Sequence, residues 1–243
     1  MSALLEVQNV TMRFGGLTAV SRVDLTLRQG ELVGLVGPNG AGKTTLIAVI
    51  SGFLKPNEGS VLFNGQNITG LKPNRIARMG IVRTFQIVKP LDNLTVMDNV
   101  MVGAYANISF IDPKQAHECA DAAMEITGLT PLAGRLAGHL TLASRKRLEI
   151  ARAIAMQPKL LLLDEVFAGL TPSESDDAIA MIREIRKTGL TILMIEHVMK
   201  VTMALSERVV VLHFGEKIAE GIPEEVMRDE KTVQAYLGRA AHA

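Results

Sequence analysis

The run Gly37-Pro38-Asn39-Gly40-Ala41-Gly42-Lys43-Thr44 constrains this 243-residue chain more than any other segment. It follows the apolar stretch at 32–36 and leads into 44–52, where the pattern is helical. Strand, glycine-rich loop and helix form the setting in which G-x-x-x-x-G-K-[ST] cradles phosphate. The glycines let the backbone curl so that successive N–H groups converge on phosphate oxygens. The helix N-terminus adds its dipole. Lys43 is suited to reach the β- and γ-phosphates, and the Thr44 hydroxyl to ligate Mg²⁺. Gly37, Pro38, Asn39, Gly40, Ala41, Gly42, Lys43, Thr44 and the adjoining Thr45 are the candidate nucleotide-binding residues. A loop of this kind belongs to an α/β fold.

A second constellation lies far downstream. Leu160-Leu161-Leu162-Leu163 is an apolar strand that ends in Asp164-Glu165. Such a strand carries both acids to the carboxyl edge of a sheet, where ligands of open α/β sheets sit. Asp164 suits a Mg²⁺ ligand, and Glu165 suits polarising an attacking water.

The remaining pattern divides the chain. Its first third reads as strands, with Leu5 and Val7 alternating against Glu6 and Gln8 over 4–10 and a second strand over 23–27. A hairpin is expected at 59–63 and 66–68 around Asn64-Gly65, a type I′ sequence. From about 94 to 157 helices are expected at 96–106, 113–127 and 143–156, with Pro113 at a first helical position. Parallel-sheet grammar then resumes: strands at 160–163, 190–195, 208–212 and 217–219, and helices at 174–187, 198–205, 223–228 and 232–237. The expectation is one domain over 1–243. In it, 1–86 and 158–243 form the core, a mixed sheet with an antiparallel β subdomain, and about 87–157 form an inserted helical subdomain.

Composition removes several alternatives. Lys and Arg number 26 against 25 Asp and Glu, so no field exists for nonspecific nucleic-acid binding, and two Tyr with no Trp leave few stacking platforms. No nucleic-acid partner is expected. Apolar residues make up 48% of the chain, yet no run approaches the roughly 18 uninterrupted apolar residues of a membrane span. Glu6 interrupts the start where a secretion signal would be apolar. One cysteine, Cys119, excludes an intrachain disulfide. No Asn-Lys-x-Asp guanine-reading motif is present, which argues against a GTPase.

With both motifs in this order, the chain resembles the ATP-binding subunit of ABC transporters over essentially its whole length. Further residues carry the likeness: Arg83-Thr84-Phe85-Gln86, Leu148-Glu149-Ile150-Ala151-Arg152-Ala153 and Ile195-Glu196-His197. The resemblance implies the ABC ATPase form of the P-loop NTPase fold, ATP and Mg²⁺ as cofactors, and ATP hydrolysis. It also implies Gln86 as a Mg²⁺ and water contact, His197 as a γ-phosphate contact and Phe14 as the ring that stacks on adenine. Residues 68–73, 75–78, 168–170, 221–226 and 235–238 look like the branched-chain amino acid importer branch. That branch serves leucine-type amino acids and other small solutes.

What the resemblance implies about partners follows. They are a second ATPase subunit, transmembrane permease subunits and a separate solute-binding protein, with the chain held peripherally on the cytoplasmic face of the inner or plasma membrane. The docking surface is expected around 87–106, with Val88, Leu91, Leu94, Val96 and Met97 as its apolar residues. The alternatives are a soluble ABC ATPase, or a weakly hydrolysing subunit for nucleotide-dependent assembly or regulation.

One motif departs from the family. Where Leu-Ser-Gly-Gly-Gln is usual, this chain has Leu140-Thr141-Leu142-Ala143-Ser144. That segment serves the ATP of the partner, so Thr141, Leu142, Ala143 and Ser144 are candidate residues for the neighbour's site. If either glycine position required positive φ, an L-residue there would cost roughly 1–2 kcal/mol. Arg145-Lys146-Arg147 follow at a helix start, against the macrodipole. They are expected to form a solvated basic face, or else to meet a partner's phosphates. Val166 and Thr171 stand where the family often has proline and aspartate. An altered signature beside intact Lys43, Asp164, Glu165 and His197 favours a heterodimer over a homodimer.

Overall fold

The computed structural model describes residues 3–84, 89–107 and 112–237. In chain order the first elements are β1 (Ala3–Phe14), β2 (Leu17–Arg28), β3 (Leu32–Val36), α1 (Lys43–Ile50), β4 (Glu58–Phe63), β5 (Gln66–Asn67) and α2 (Pro73–Met79). Then come β6 (Ile81–Arg83), α3 (Val96–Asn107), α4 (Pro113–Ile126), α5 (Leu142–Ala155), β7 (Leu160–Asp164) and α6 (Pro172–Lys187). The last are β8 (Thr191–Ile195), α7 (Met199–Leu205), β9 (Arg208–His213), β10 (Glu216–Gly221), α8 (Pro223–Val226) and α9 (Glu230–Leu237). They form two compact units, one of residues 1–76 and 191–243, the other of 77–190.

In the first unit an antiparallel sheet runs in the order β2-β1-β4-β5. β1 continues past the expected end at Val10 because Asn9 adopts φ 49 and the register shifts between Val7 and Val10. Asparagine tolerates this left-handed conformation, and its N–H donates to Asp24 Oδ1 at 2.8 Å. The Asn64-Gly65 turn has φ 50 and 73, the two positive values that a type I′ hairpin requires. β3 lies parallel to both β8 and β9, and β10 closes that edge antiparallel to β9. Every residue of β3 and β8 is buried, as parallel strands covered on both faces demand.

In the second unit β6 and β7 pair in parallel, and α3, α4 and α5 share a core of Val96, Val100, Ala120, Met124, Leu148 and Ala151. Small residues bring these helices close. A Cβ on Gly103 would lie 2.3 Å from the Arg152 carbonyl oxygen. Helix starts are set by side-chain caps: Asp112 accepts from the Lys114 N–H ahead of α4, and Thr171 with Glu174 forms a reciprocal capping box on α6. Both helices carry proline at their first position. α2 and β6 were not expected from the pattern; a seven-residue helix and a three-residue strand are too short to display a period.

Candidate functional site: a nucleotide cradle and an acidic strand end

In the first unit the loop after β3 is shaped by glycines with positive φ, two of which leave no room for a side chain. Gly37 has φ 144, and a Cβ there would sit 2.0 Å from the Leu212 carbonyl oxygen. Gly42, at φ 102, caps α1, and its Cβ would lie 2.4 Å from the Ala19 oxygen. Lys43 is buried, and its Nζ donates to the carbonyls of Gly37 at 2.6 Å and Pro38 at 3.0 Å. The ammonium thus spans the mouth of the loop it closes. Thr44 is exposed and Thr45 half-buried on the first turn of α1, which has no acidic residue and no side-chain cap. Its leading N–H groups and positive dipole end suit an anion.

The neighbouring elements add three groups. β3 and β8 pair with Leu35 opposite Ile195, so the loop and the exposed His197 leave the same sheet edge. Phe14 ends β1 and is 46% exposed. The Tyr236 hydroxyl on α9 is buried beside the Gly37 backbone; burial raises its pKa, against a smaller lowering by that backbone.

In the second unit Asp164 is the last residue of β7, with 3% of its side chain exposed. Arg83 Nη2 donates to Asp164 Oδ2 at 2.7 Å. The adjacent Thr84 receives the Asp164 N–H on its Oγ1 at 3.2 Å, and its own N–H donates to the Leu162 carbonyl at 2.9 Å. Two consecutive residues therefore grip Asp164 by carboxylate and amide. Glu165 follows at φ 50, and its carbonyl accepts from Lys146 Nζ at 3.3 Å. Left-handed backbone at a glutamate is uncommon and costs energy, and here it coincides with the carboxylate that is the candidate for polarising water. Gln86 lies outside the described residues.

The altered signature is not strained. Thr141 caps α5 by accepting from the Ser144 N–H at 3.2 Å, while Leu142 and Ala143 form its first turn without positive φ. The cost reserved for a left-handed glycine position does not arise. The basic run is also different from expectation. Arg145 donates to the Gly138 carbonyl at 2.7 Å and the Leu140 carbonyl at 3.2 Å, Lys146 is buried on Glu165, and Arg147 pairs with Asp177 at 3.5 Å. These cations find acceptors within their own unit, so the run is not simply a solvated face. Of the apolar residues expected at a docking surface, Val96 and Met97 belong to the helical core, whereas Leu91 and Leu94 are exposed. Val88 lies outside the described residues.

Arg83 and Lys146 were not foreseen in these roles. Arg83 precedes the partner it holds by 81 positions, and only the pairing of β6 with β7 brings them together. The signal for Lys146 was a weak one, a cation that the helix dipole disfavours.

A family model described as ABC transporter matches residues 20–168, more than half the chain. The chain belongs to the ABC transporter family. It is the ATP-binding, ATP-hydrolysing subunit of such a transporter. A second model, for branched-chain amino acid ATP-binding cassette transporters, matches residues 216–242. The chain is 40% identical over 251 residues to the high-affinity branched-chain amino acid transport ATP-binding protein BraF of Pseudomonas aeruginosa, covering 98% of each. It is 41% identical to LivG of Escherichia coli with the same coverage. Among solved structures, a nucleotide-free ATP-binding cassette superposes with a TM-score of 0.87 at 33% identity, covering 97% of this chain and 99% of that one. A cassette in its ADP conformation gives 0.89 at 33% identity, covering 98% and 100%. The expected fold is thereby established, and the soluble ABC ATPase and the weakly hydrolysing assembly subunit are not favoured.

Proposed function

We propose that this subunit powers the import of branched-chain amino acids or closely related solutes. The observation that carries the substrate class is the match of residues 216–242 to the branched-chain amino acid cassette model. Residues 37–45 hold the phosphates and Phe14 stacks on adenine. His197 contacts the γ-phosphate and Glu165 polarises the attacking water. Thr44, Asp164 and Gln86 would hold Mg²⁺, which would supply positive charge against the phosphoryl oxygens. The donor set fits that ion: a hydroxyl, an amide and a carboxylate are hard oxygen ligands.

The chain acts as one domain, with its helical part lending Thr141, Leu142, Ala143 and Ser144 to the ATP of a second, different ATPase subunit. Permease subunits dock on exposed Leu91 and Leu94 and on Val102 and Tyr105 of α3. Attachment to the cytoplasmic face runs through the permease, as the relatives' naming as transport ATP-binding proteins supports; among the described residues no helix is long and apolar enough to cross a membrane. A separate solute-binding protein delivers the cargo.

The test is a mild-detergent pull-down of the tagged Glu165→Gln chain with ATP from its native cells. Recovery of polytopic membrane proteins and a second ATPase supports the reading; recovery of ribosomes or soluble partners alone overturns it. Uptake of labelled leucine by reconstituted vesicles then tests the solute. In the same vesicles, Leu142→Gly with Ala143→Gly raises ATP trapping mainly at the partner's phosphate loop. Equal trapping at both sites refutes the asymmetric pair.

A further inference from the structure

We propose that Arg83 is a positioning residue for the metal-binding carboxylate, and this rests on the reading above that Asp164 holds Mg²⁺. Asp164 is buried at 3% side-chain exposure and Arg83 largely covered at 11%, and the contact is a charge-assisted 2.7 Å bond. Bonds of this kind are short and directional. Arg83 engages Oδ2 and holds that oxygen, which makes Oδ1 the oxygen left for a cation. The backbone beneath is fixed separately, because the Asp164 amide donates to Thr84. Position and orientation of the acid thus come from two neighbouring residues at the end of β6, three and two places before Gln86. An ammonium could supply the charge but not the fixed planar geometry of a guanidinium.

Partners that orient a metal ligand commonly contribute 10–100-fold to metal affinity. The observable is therefore the metal's share of nucleotide binding. Affinity for mant-ADP is measured on the full chain with Mg²⁺ and again with EDTA, and the ratio reports that share. Arg83→Met lowers the ratio by about ten-fold or more while leaving the EDTA affinity in place. Arg83→Lys falls between Arg83→Met and the wild type. On an Asp164→Asn background, Arg83→Met changes the ratio no further. A role confined to folding would move the melting temperature and both affinities together.

An unchanged ratio in Arg83→Met overturns the proposal. If that variant does not fold because it buries a lone carboxylate, two others decide. A wild-type ratio in Arg83→Lys, or a ratio in Arg83→Met/Asp164→Asn below that of Asp164→Asn, overturns it equally. If Asp164→Asn itself leaves the ratio intact, the metal reading fails instead, and the two failures are thereby told apart.

Discussion

Replacing Gly37 and Gly40 by alanine, one at a time, separates backbone strain from collision in the phosphate loop. Both residues have positive φ, 144 and 80. A left-handed L-residue costs roughly 1–2 kcal/mol, and this applies to each. The surroundings differ. Around Gly40 a Cβ meets nothing within 4 Å, whereas at Gly37 it meets the Leu212 carbonyl oxygen at 2.0 Å. That oxygen belongs to the backbone of β9, so no side chain can swing aside, and overpacking adds about 1–3 kcal/mol. Gly40→Ala therefore costs about 1–2 kcal/mol and Gly37→Ala about 2–5 kcal/mol. In a chain of this size each kcal/mol lowers Tm by about 2–4 °C. Calorimetry without nucleotide should show drops of about 2–8 °C for Gly40→Ala and about 4–20 °C for Gly37→Ala. Only Gly37→Ala also displaces an acceptor of Lys43, so it is the variant in which mant-ADP binding without metal weakens more. Equal losses in Tm, or a larger loss at Gly40, would refute the steric reasoning.

Other expectations follow from single contacts. Burial raises the pKa of Glu31, but hydrogen bonds from Arg208 and the Arg28 N–H outweigh it and leave the carboxyl below the usual glutamate range. A depressed carboxyl stabilises the fold above its unfolded pKa and ceases to do so as pH falls through the folded one. Glu31→Gln should cost about 2 kcal/mol at pH 7, and denaturant titrations should show the gap closing below the glutamate range. Lys146→Met removes the ammonium from the Glu165 carbonyl. It should lower kcat by about ten- to a hundred-fold with nucleotide affinity unchanged, whereas equal losses in both would point to a general packing defect. Thr171→Ala breaks the α6 capping box and should cost about 1 kcal/mol, a Tm loss of about 2–4 °C, with ATPase activity at low temperature intact.

What could be read before folding was whatever is local. The phosphate loop is continuous, and its glycines, lysine and threonine act within one turn of each other. Asp164 and Glu165 were legible for the same reason, as the polar end of an all-apolar strand. α4 announced itself through the proline at its first helical position, and α6 through its amphipathic pattern from 174 onward, two residues after its actual start. What escaped depends on pairing. The Arg83–Asp164 bond needs β6 beside β7, and a three-residue strand has no periodicity to announce it. Lys146 looked like one cation in a run of three, because burial of its stem and capture by a carbonyl depend on the loop after β7. The full length of β1 was hidden by the twist at Asn9, which shifts the alternation without ending the strand.

Tyr236 gives the molecule a built-in optical label. The chain has no tryptophan and only two tyrosines. Tyr105 stands 45% exposed on α3, while the Tyr236 hydroxyl lies buried against Gly37. Ultraviolet emission from the unmodified protein therefore has one solvent-bathed source and one lodged beside the phosphate loop. A Tyr105→Phe version would shine from the second alone, so nucleotide arrival could be followed in real time without any attached dye.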